Sequence, residues 1–78
     1  MRGRKLFVGN LTYNTTVSQL ANLFSVYGEV ETAKIIADKG YGFVMMKSDS
    51  DAERAKSALH GSLHEGNILV VDYARGSD

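Results

Sequence analysis

Aromatic and aliphatic side chains alternate in two short segments of this sequence. Phe7 lies between Leu6 and Val8, and Tyr41 and Phe43 are separated by a single glycine. Successive side chains of a β-strand point to opposite faces of its sheet, so the three rings would share the face opposite the aliphatic residues. A soluble monomer rarely exposes an apolar cluster that binds nothing. The pattern therefore predicts a binding surface. The alternative is that the rings are ordinary core residues, which requires the aliphatic residues to be exposed instead.

The charged residues are balanced overall, because nine basic and nine acidic residues give a formal net charge of zero. Whole-chain electrostatics therefore give no attraction toward nucleic acid. Strand parity predicts an uneven distribution, however, with a basic open face on which Asp72 is the single acidic residue. The basic residues predicted on or beside that face are Lys5, Lys34, Lys47, Lys39, Arg2, Arg4 and Arg75.

Six segments of regular structure would position these side chains. Thr16 with Gln19 and Ser48 with Asp51 have the spacing of helix N-caps, and a glycine follows each helical segment. Strands are predicted at 5–10, 30–37, 41–47 and 68–74, with a hairpin turn at 38–40. Because β-α-β crossovers are right-handed, both helices should cover the same side of the sheet. The predicted fold class is α+β, a ferredoxin-like βαββαβ sandwich with a four-stranded antiparallel sheet and two helices on one face.

The bulk properties fit one small soluble domain, which we expect to span residues 4–76. The chain has 78 residues and no cysteine, which excludes disulfides and thiolate metal sites. No apolar run is long enough for a membrane span, and the basic N-terminal residues lead into a strand rather than a signal peptide. We expect a nuclear or cytoplasmic protein that is not secreted.

Two segments resemble the signatures of the RNA-recognition-motif family. Leu6-Phe7-Val8-Gly9-Asn10-Leu11 resembles the six-residue signature of the family, and 39–46 resembles its eight-residue signature. The resemblance extends over almost the whole chain. It implies a domain that binds single-stranded RNA, or single-stranded DNA as a second candidate, in RNA processing or regulation. It also implies a monomer without cofactors.

The resemblance also implies roles for individual residues. Phe7 and either Tyr41 or Phe43 would each stack a base, and the remaining ring would pack on a ribose. Lys39 would contact a phosphate, although a solvated hairpin lysine is an equal alternative. Backbone groups and side chains of the last strand and tail, from Asp72 to Arg75, would recognise base edges. The RNA-binding residues predicted in this way are Phe7, Tyr41, Phe43, Lys39, Lys5, Lys34, Met45, Asp72, Ala74 and Arg75.

Two departures from the family pattern concern packing. Met46 replaces the usual last aromatic residue but should face the core, and Lys56 replaces an aliphatic residue on the second helix. We also expect Tyr13 to pack over the end of the sheet, Tyr73 to be core and Asn10 to organise the loop after the first strand. The short connection before Tyr41 favours linear single-stranded targets over stem-loops.

Other functions of the same topology are open to test. The main alternative is a module that binds a peptide or a second copy. An acylphosphatase would need an arginine in the loop before the first helix, and residues 11–15 contain none, so we predict no enzymatic activity. His60 and His64 flank a glycine and are too few for a metal site, so none is predicted.

Overall fold

The computed structural model describes residues 3–74. Its helices and strands follow the predicted order, with one addition near the C-terminal end. The elements are β1 (Lys5–Gly9), α1 (Val17–Ser25), β2 (Val30–Ile36), a 3₁₀ helix (Ala37–Lys39), β3 (Tyr41–Met46), α2 (Asp49–Leu59), β4 (Leu63–His64), β5 (Asn67–Ile68) and β6 (Val70–Tyr73).

The main sheet has four strands in the order β2-β3-β1-β6, and each neighbouring pair is antiparallel. The central strands β1 and β3 carry the two signature segments. Their register places Phe7 opposite Phe43 and Gly9 opposite Tyr41. The predicted fold class is confirmed.

The core lies between the sheet and the two helices. Leu6, Val8, Val44 and Met46 are fully buried, as strand parity predicted. They pack against both helices, which contribute the buried residues Leu20, Phe24, Ala52, Ala55 and Leu59. Both helices therefore cover one face of the sheet, and within residues 3–74 the opposite face, called the open face below, has no helix on it.

Both predicted N-caps are present. The Thr16 hydroxyl accepts a hydrogen bond from the Gln19 amide at 3.1 Å, and the Gln19 side chain accepts one from the Thr16 amide at 2.9 Å. The Ser48 hydroxyl accepts from the Asp51 amide at 3.1 Å. These bonds satisfy amide groups that have no partner within the helix, which determines where each helix begins.

The addition is a small hairpin, and it corrects the predicted last strand. Ile68 pairs with Leu63 in this hairpin, so β6 begins only at Val70. Glu65 and Gly66 connect β4 to β5 with φ values of 51° and 85°. Positive φ at both central residues is the geometry of a two-residue hairpin turn, which explains why the chain folds back here.

Two predictions about tyrosines have different outcomes. Tyr13 is 94% exposed, so the prediction that it packs over the sheet end is wrong. Tyr73 is half-buried and packs against the core. The Lys56 ammonium lies 5.5 Å from the Tyr73 ring centroid, so the aliphatic stem of this lysine covers apolar surface while its charge stays near solvent. Within residues 3–74, no helix is long and apolar enough to span a membrane.

Candidate nucleic-acid interface

Three aromatic rings form a triangle on the open face of the sheet. The ring centroids of Phe7 and Tyr41 are 5.4 Å apart, those of Phe7 and Phe43 are 6.0 Å apart, and those of Tyr41 and Phe43 are 5.8 Å apart. All three rings are half-buried. The tilted and edge-to-face arrangements are those that aromatic quadrupoles favour, and part of each side chain's surface stays exposed. The prediction of exposed rings is confirmed, and the alternative of three core rings is wrong.

Two lysines lie over the ring of Phe43. The ammonium of Lys5 is 5.0 Å from the ring centroid and that of Lys34 is 5.8 Å from it. Lys34 is paired with Phe43 across β2 and β3, and Lys5 is paired with Met45 across β1 and β3. The register therefore places two positive charges beside one ring.

The other basic residues that were predicted on or beside the open face do not lie over the Phe43 ring. Lys39 is exposed at the end of the 3₁₀ helix, at the edge of the hairpin between β2 and β3, and Lys47 is exposed just beyond β3. Arg4 forms a salt bridge of 2.9 Å with Glu31. Sequence reasoning did not foresee this pairing, which partly neutralises Arg4. Arg2 and Arg75 lie outside the described residues.

Two shallow depressions flank Phe43. The first has a volume of about 240 Å³ and is lined by Lys5, Thr32, Ala33, Lys34, Phe43 and Met45. The second has a volume of about 340 Å³ and is lined by Phe7, Phe43, Asp72, Tyr73 and Ala74. Lysines are the charged residues of the first depression and Asp72 is the charged residue of the second. Phe43 is common to both.

Asp72 lies on the open face, directly opposite Phe7 in the pairing of β1 with β6. It is exposed, and its Oδ1 accepts a hydrogen bond from the Tyr73 amide at 2.8 Å. The neighbouring Ala74 donates its amide to the Lys5 carbonyl at 3.0 Å, which fixes the backbone at this end of the sheet. Each predicted site residue within 3–74 therefore lies on the open face or at its edge.

The prediction did not name every residue of this face. Thr32 lies opposite Met45 and lines the first depression, and Val70 lies opposite Gly9 with 42% of its surface exposed. Strand parity identifies both residues. Thr32 lies two residues before Lys34 and Val70 lies two residues before Asp72, so each shares the face of a residue that was predicted.

The loop after β1 is fastened to the β4-β5 hairpin by side-chain hydrogen bonds. The side-chain amide of Asn10 donates to the backbone carbonyl of Ile68 at 2.7 Å. The side-chain amide of Asn67 donates to the backbone carbonyl of Asn10 at 3.1 Å. Asn10 has a positive φ of 64°, which asparagine tolerates better than most residues. The prediction that Asn10 organises this loop agrees with these bonds.

The histidines have separate environments. The Nδ1 of His60 accepts a hydrogen bond from the Val71 amide at 3.0 Å, and the Nε2 of His64 lies 3.8 Å from a Glu65 carboxylate oxygen. Within the described residues, no group of three or more histidine, aspartate or glutamate side chains could hold a metal ion.

Comparisons with known proteins agree with this geometry. Residues 6–70 match the RNA recognition motif family. RNA-binding protein CP29B, chloroplastic, from Arabidopsis thaliana is 43% identical over 74 residues, a match that covers 87% of this chain and 26% of the relative. The crystal structure of RNA-binding protein PG1 aligns with a TM-score of 0.90 and 33% identity, covering 96% of this chain and 98% of that one.

A Sxl-lethal protein/RNA complex aligns with a TM-score of 0.89 and 30% identity, covering 97% of this chain and 49% of that one. The chain spans between 8% and 53% of the length of the curated relatives that it matches.

Proposed function

The chain belongs to the RNA recognition motif family, and from this membership and the open-face geometry we propose that it binds single-stranded RNA. Two to three bases would stack on Phe7, Tyr41 and Phe43. The observation that carries the proposal is the aromatic triangle, whose centroids are all within 6.0 Å of one another on the face opposite α1 and α2. This spacing suits successive bases of one strand.

The energies favour a base over the lysines at Phe43. The two exposed cation–π contacts together contribute about 1–2 kcal/mol, which an aromatic–base stack of up to about 3 kcal/mol can exceed while the ammonium groups remain near the rim of the ring. A base would therefore displace the ammonium groups of Lys5 and Lys34 from the ring to its rim. Two or three stacks, less the cost of ordering the RNA, correspond to roughly micromolar affinity.

The relatives support the same proposal. CP29B is named as an RNA-binding protein, and the Sxl-lethal structure is a protein/RNA complex. The family match also separates the chain from the acylphosphatases that share its topology, and we propose no catalytic role.

The proposal also includes the bounds of the domain, its oligomeric state, its cellular role and its location. We take the domain to span 4–76, slightly wider than the match at 6–70, because β6 continues to Tyr73. We propose a monomer that functions in RNA processing or regulation, in the nucleus or cytoplasm. CP29B is named as chloroplastic, so imaging of a fluorescent fusion is the direct test of location.

The test of RNA binding compares two aromatic truncations. Phe43→Ala should leave the fold intact and weaken binding to random RNA octamers about 10-fold or more, because one stack is lost. Tyr13→Ala removes an equally aromatic residue that is 94% exposed and lies outside the sheet, so binding should not change. Titration by fluorescence anisotropy gives both affinities, and DNA octamers in parallel test the second candidate ligand.

Circular dichroism checks that each variant is folded, and Phe43→Leu serves as a second variant that keeps apolar volume without a stacking ring. Absence of RNA binding by the unaltered chain would refute the proposal. Equal binding by the Phe43→Ala protein would refute the stacking site.

A further inference from the structure

We infer that the base stacked on Phe43 is preferentially guanine, held between lysines on one side and a carboxylate on the other. This inference rests on the proposed RNA binding and specifies its base preference. Phe43 lines both depressions, with Lys5 and Lys34 in the first and Asp72 in the second. Across the sheet, Lys34 lies on the β2 side of Phe43, and Asp72 lies on the other side, beyond Phe7. A base that lies on Phe43 and extends toward Phe7 would therefore have a donor at one edge and an acceptor at the opposite edge.

The first depression favours a base edge made of acceptors. An ammonium group is only a donor, and both ammonium groups lie within 5.8 Å of the Phe43 centroid. When a base replaces them over the ring, they remain close enough to reach its rim. Guanine presents two neighbouring acceptors, O6 and N7, and lysine contacts to this pair are common in nucleic-acid recognition.

The second depression favours a base edge made of donors. An ionised carboxylate is only an acceptor, with about four lone-pair sites, so the hydrogen bond from the Tyr73 amide does not exhaust Asp72. Guanine presents N1–H and the 2-amino group on the edge away from N7. Uracil has no amino group, and adenine and cytosine each have one amino group with no second donor beside it, whereas guanine has two adjacent donors opposite two adjacent acceptors. Guanine is thus the base whose two edges both match.

A contact from the lysines to phosphates is the competing interpretation, and it makes a different prediction. A lysine that binds phosphate strengthens all sequences alike and steepens the salt dependence. A lysine that reads a base edge affects one base more than the others.

The experiment uses uracil octamers that differ only at the fourth nucleotide, because oligouridine has little structure of its own. The central nucleotide is uridine, adenosine, guanosine, inosine or 7-deazaguanosine. Guanosine should bind about fivefold or more tighter than uridine or adenosine. Inosine lacks the 2-amino group and 7-deazaguanosine lacks N7, so each should lose most of that advantage.

Two protein variants test which residue contacts each edge of the guanine base. Asp72→Ala should make guanosine and inosine bind equally, and Lys34→Gln should reduce the difference between guanosine and 7-deazaguanosine, because the charge at position 34 is lost while Lys5 remains beside the ring. Asp49→Asn and Lys47→Gln remove the same charges from residues that line neither depression, and they should preserve both differences.

The outcomes separate the inference from the function on which it rests. Similar affinity for all five octamers would overturn the guanine preference and leave RNA binding standing. A Lys34→Gln protein that weakens all octamers alike and has a shallower salt slope would overturn base reading by the lysines. Failure to bind any octamer would overturn the proposed function as well.

Discussion

The ring of Phe7 lies above Gly9, its neighbour on the same face of β1. A Cβ atom at position 9 would be 2.9 Å from Phe7 Cε2 and 3.0 Å from Phe7 Cζ, closer than such atoms normally approach. The missing side chain therefore provides the space into which the Phe7 ring extends toward Tyr41. The geometry of the aromatic triangle depends on this glycine.

Gly9→Ala should consequently displace a ring rather than disrupt the fold. Gly9 does not have a positive φ, so alanine fits the backbone, and the atoms it meets belong to the free end of a side chain. We expect the Phe7 ring to rotate away and RNA affinity to fall about three- to tenfold, as part of one stack is lost. Binding titrations and thermal melts measure the two effects.

Gly3→Ala is the matched control, because a Cβ there meets only the Lys5 backbone nitrogen at 3.9 Å. It should change neither property. A Gly9→Ala protein with wild-type RNA affinity would show that the position of the Phe7 ring does not matter for binding.

The neighbours Leu6 and Phe7 should respond to truncation in opposite ways. Leu6 is fully buried, so Leu6→Ala should lower the free energy of unfolding by about 2–5 kcal/mol. Phe7 is half-buried on the open face, so Phe7→Ala should cost less stability but weaken RNA binding about 10-fold. Urea denaturation and RNA titration of both variants check the assignment. If Phe7→Ala instead caused the larger loss of stability and Leu6→Ala the larger loss of RNA affinity, the face that carries Leu6 would be the RNA-binding face.

Strand parity and capping determined most of the fold in advance, because both are local rules. The alternation around Phe7 and Phe43 places large rings and aliphatic residues on opposite faces whatever the rest of the chain does. The hydroxyls of Thr16 and Ser48 cap their helices by accepting hydrogen bonds from backbone amides only three residues away. These features need no knowledge of distant contacts, so the sequence alone predicts them.

The features that sequence reasoning missed depend on contacts between distant segments. The apolar run from Ile68 to Val71 looks like one strand, yet Ile68 turns out to pair with Leu63. Glu65 in a left-handed conformation is uncommon for its residue type, so the turn carries no strong local signal. The salt bridge between Arg4 and Glu31 likewise joins residues 27 positions apart.

Gly42 faces the core and should tolerate alanine far less well than Gly9. A Cβ at position 42 would be only 2.4 Å from the Lys34 carbonyl oxygen and 3.3 Å from Leu20 Cδ2. The first neighbour is backbone within the β2-β3 ladder, so it cannot move without disturbing strand pairing. We expect Gly42→Ala to lower the free energy of unfolding by about 1–3 kcal/mol or more. Chemical denaturation measures this loss, and a variant as stable as the wild type would contradict the close packing.

The side-chain carboxylate of Glu65 should stabilise the fold, although the left-handed backbone conformation of this residue is unfavourable. Its Oε1 accepts hydrogen bonds from the Thr12 hydroxyl at 2.8 Å and from the Thr15 hydroxyl at 3.2 Å. Its φ of 51° costs a residue other than glycine roughly 1–2 kcal/mol. Glu65→Ala removes both hydrogen bonds and keeps the backbone cost, whereas Glu65→Gly removes the bonds and relieves that cost.

We therefore expect Glu65→Ala to lower the free energy of unfolding by about 1–2 kcal/mol, and Glu65→Gly to lower it by less. Glu29→Ala removes an exposed carboxylate from the connection between α1 and β2 and should have little effect. Urea denaturation ranks the four proteins, and amide hydrogen exchange of residues 63–68 shows whether the hairpin opens more often. If Glu65→Ala were as stable as the wild type, the hydrogen bonds to the two threonines would contribute nothing to the attachment of the hairpin.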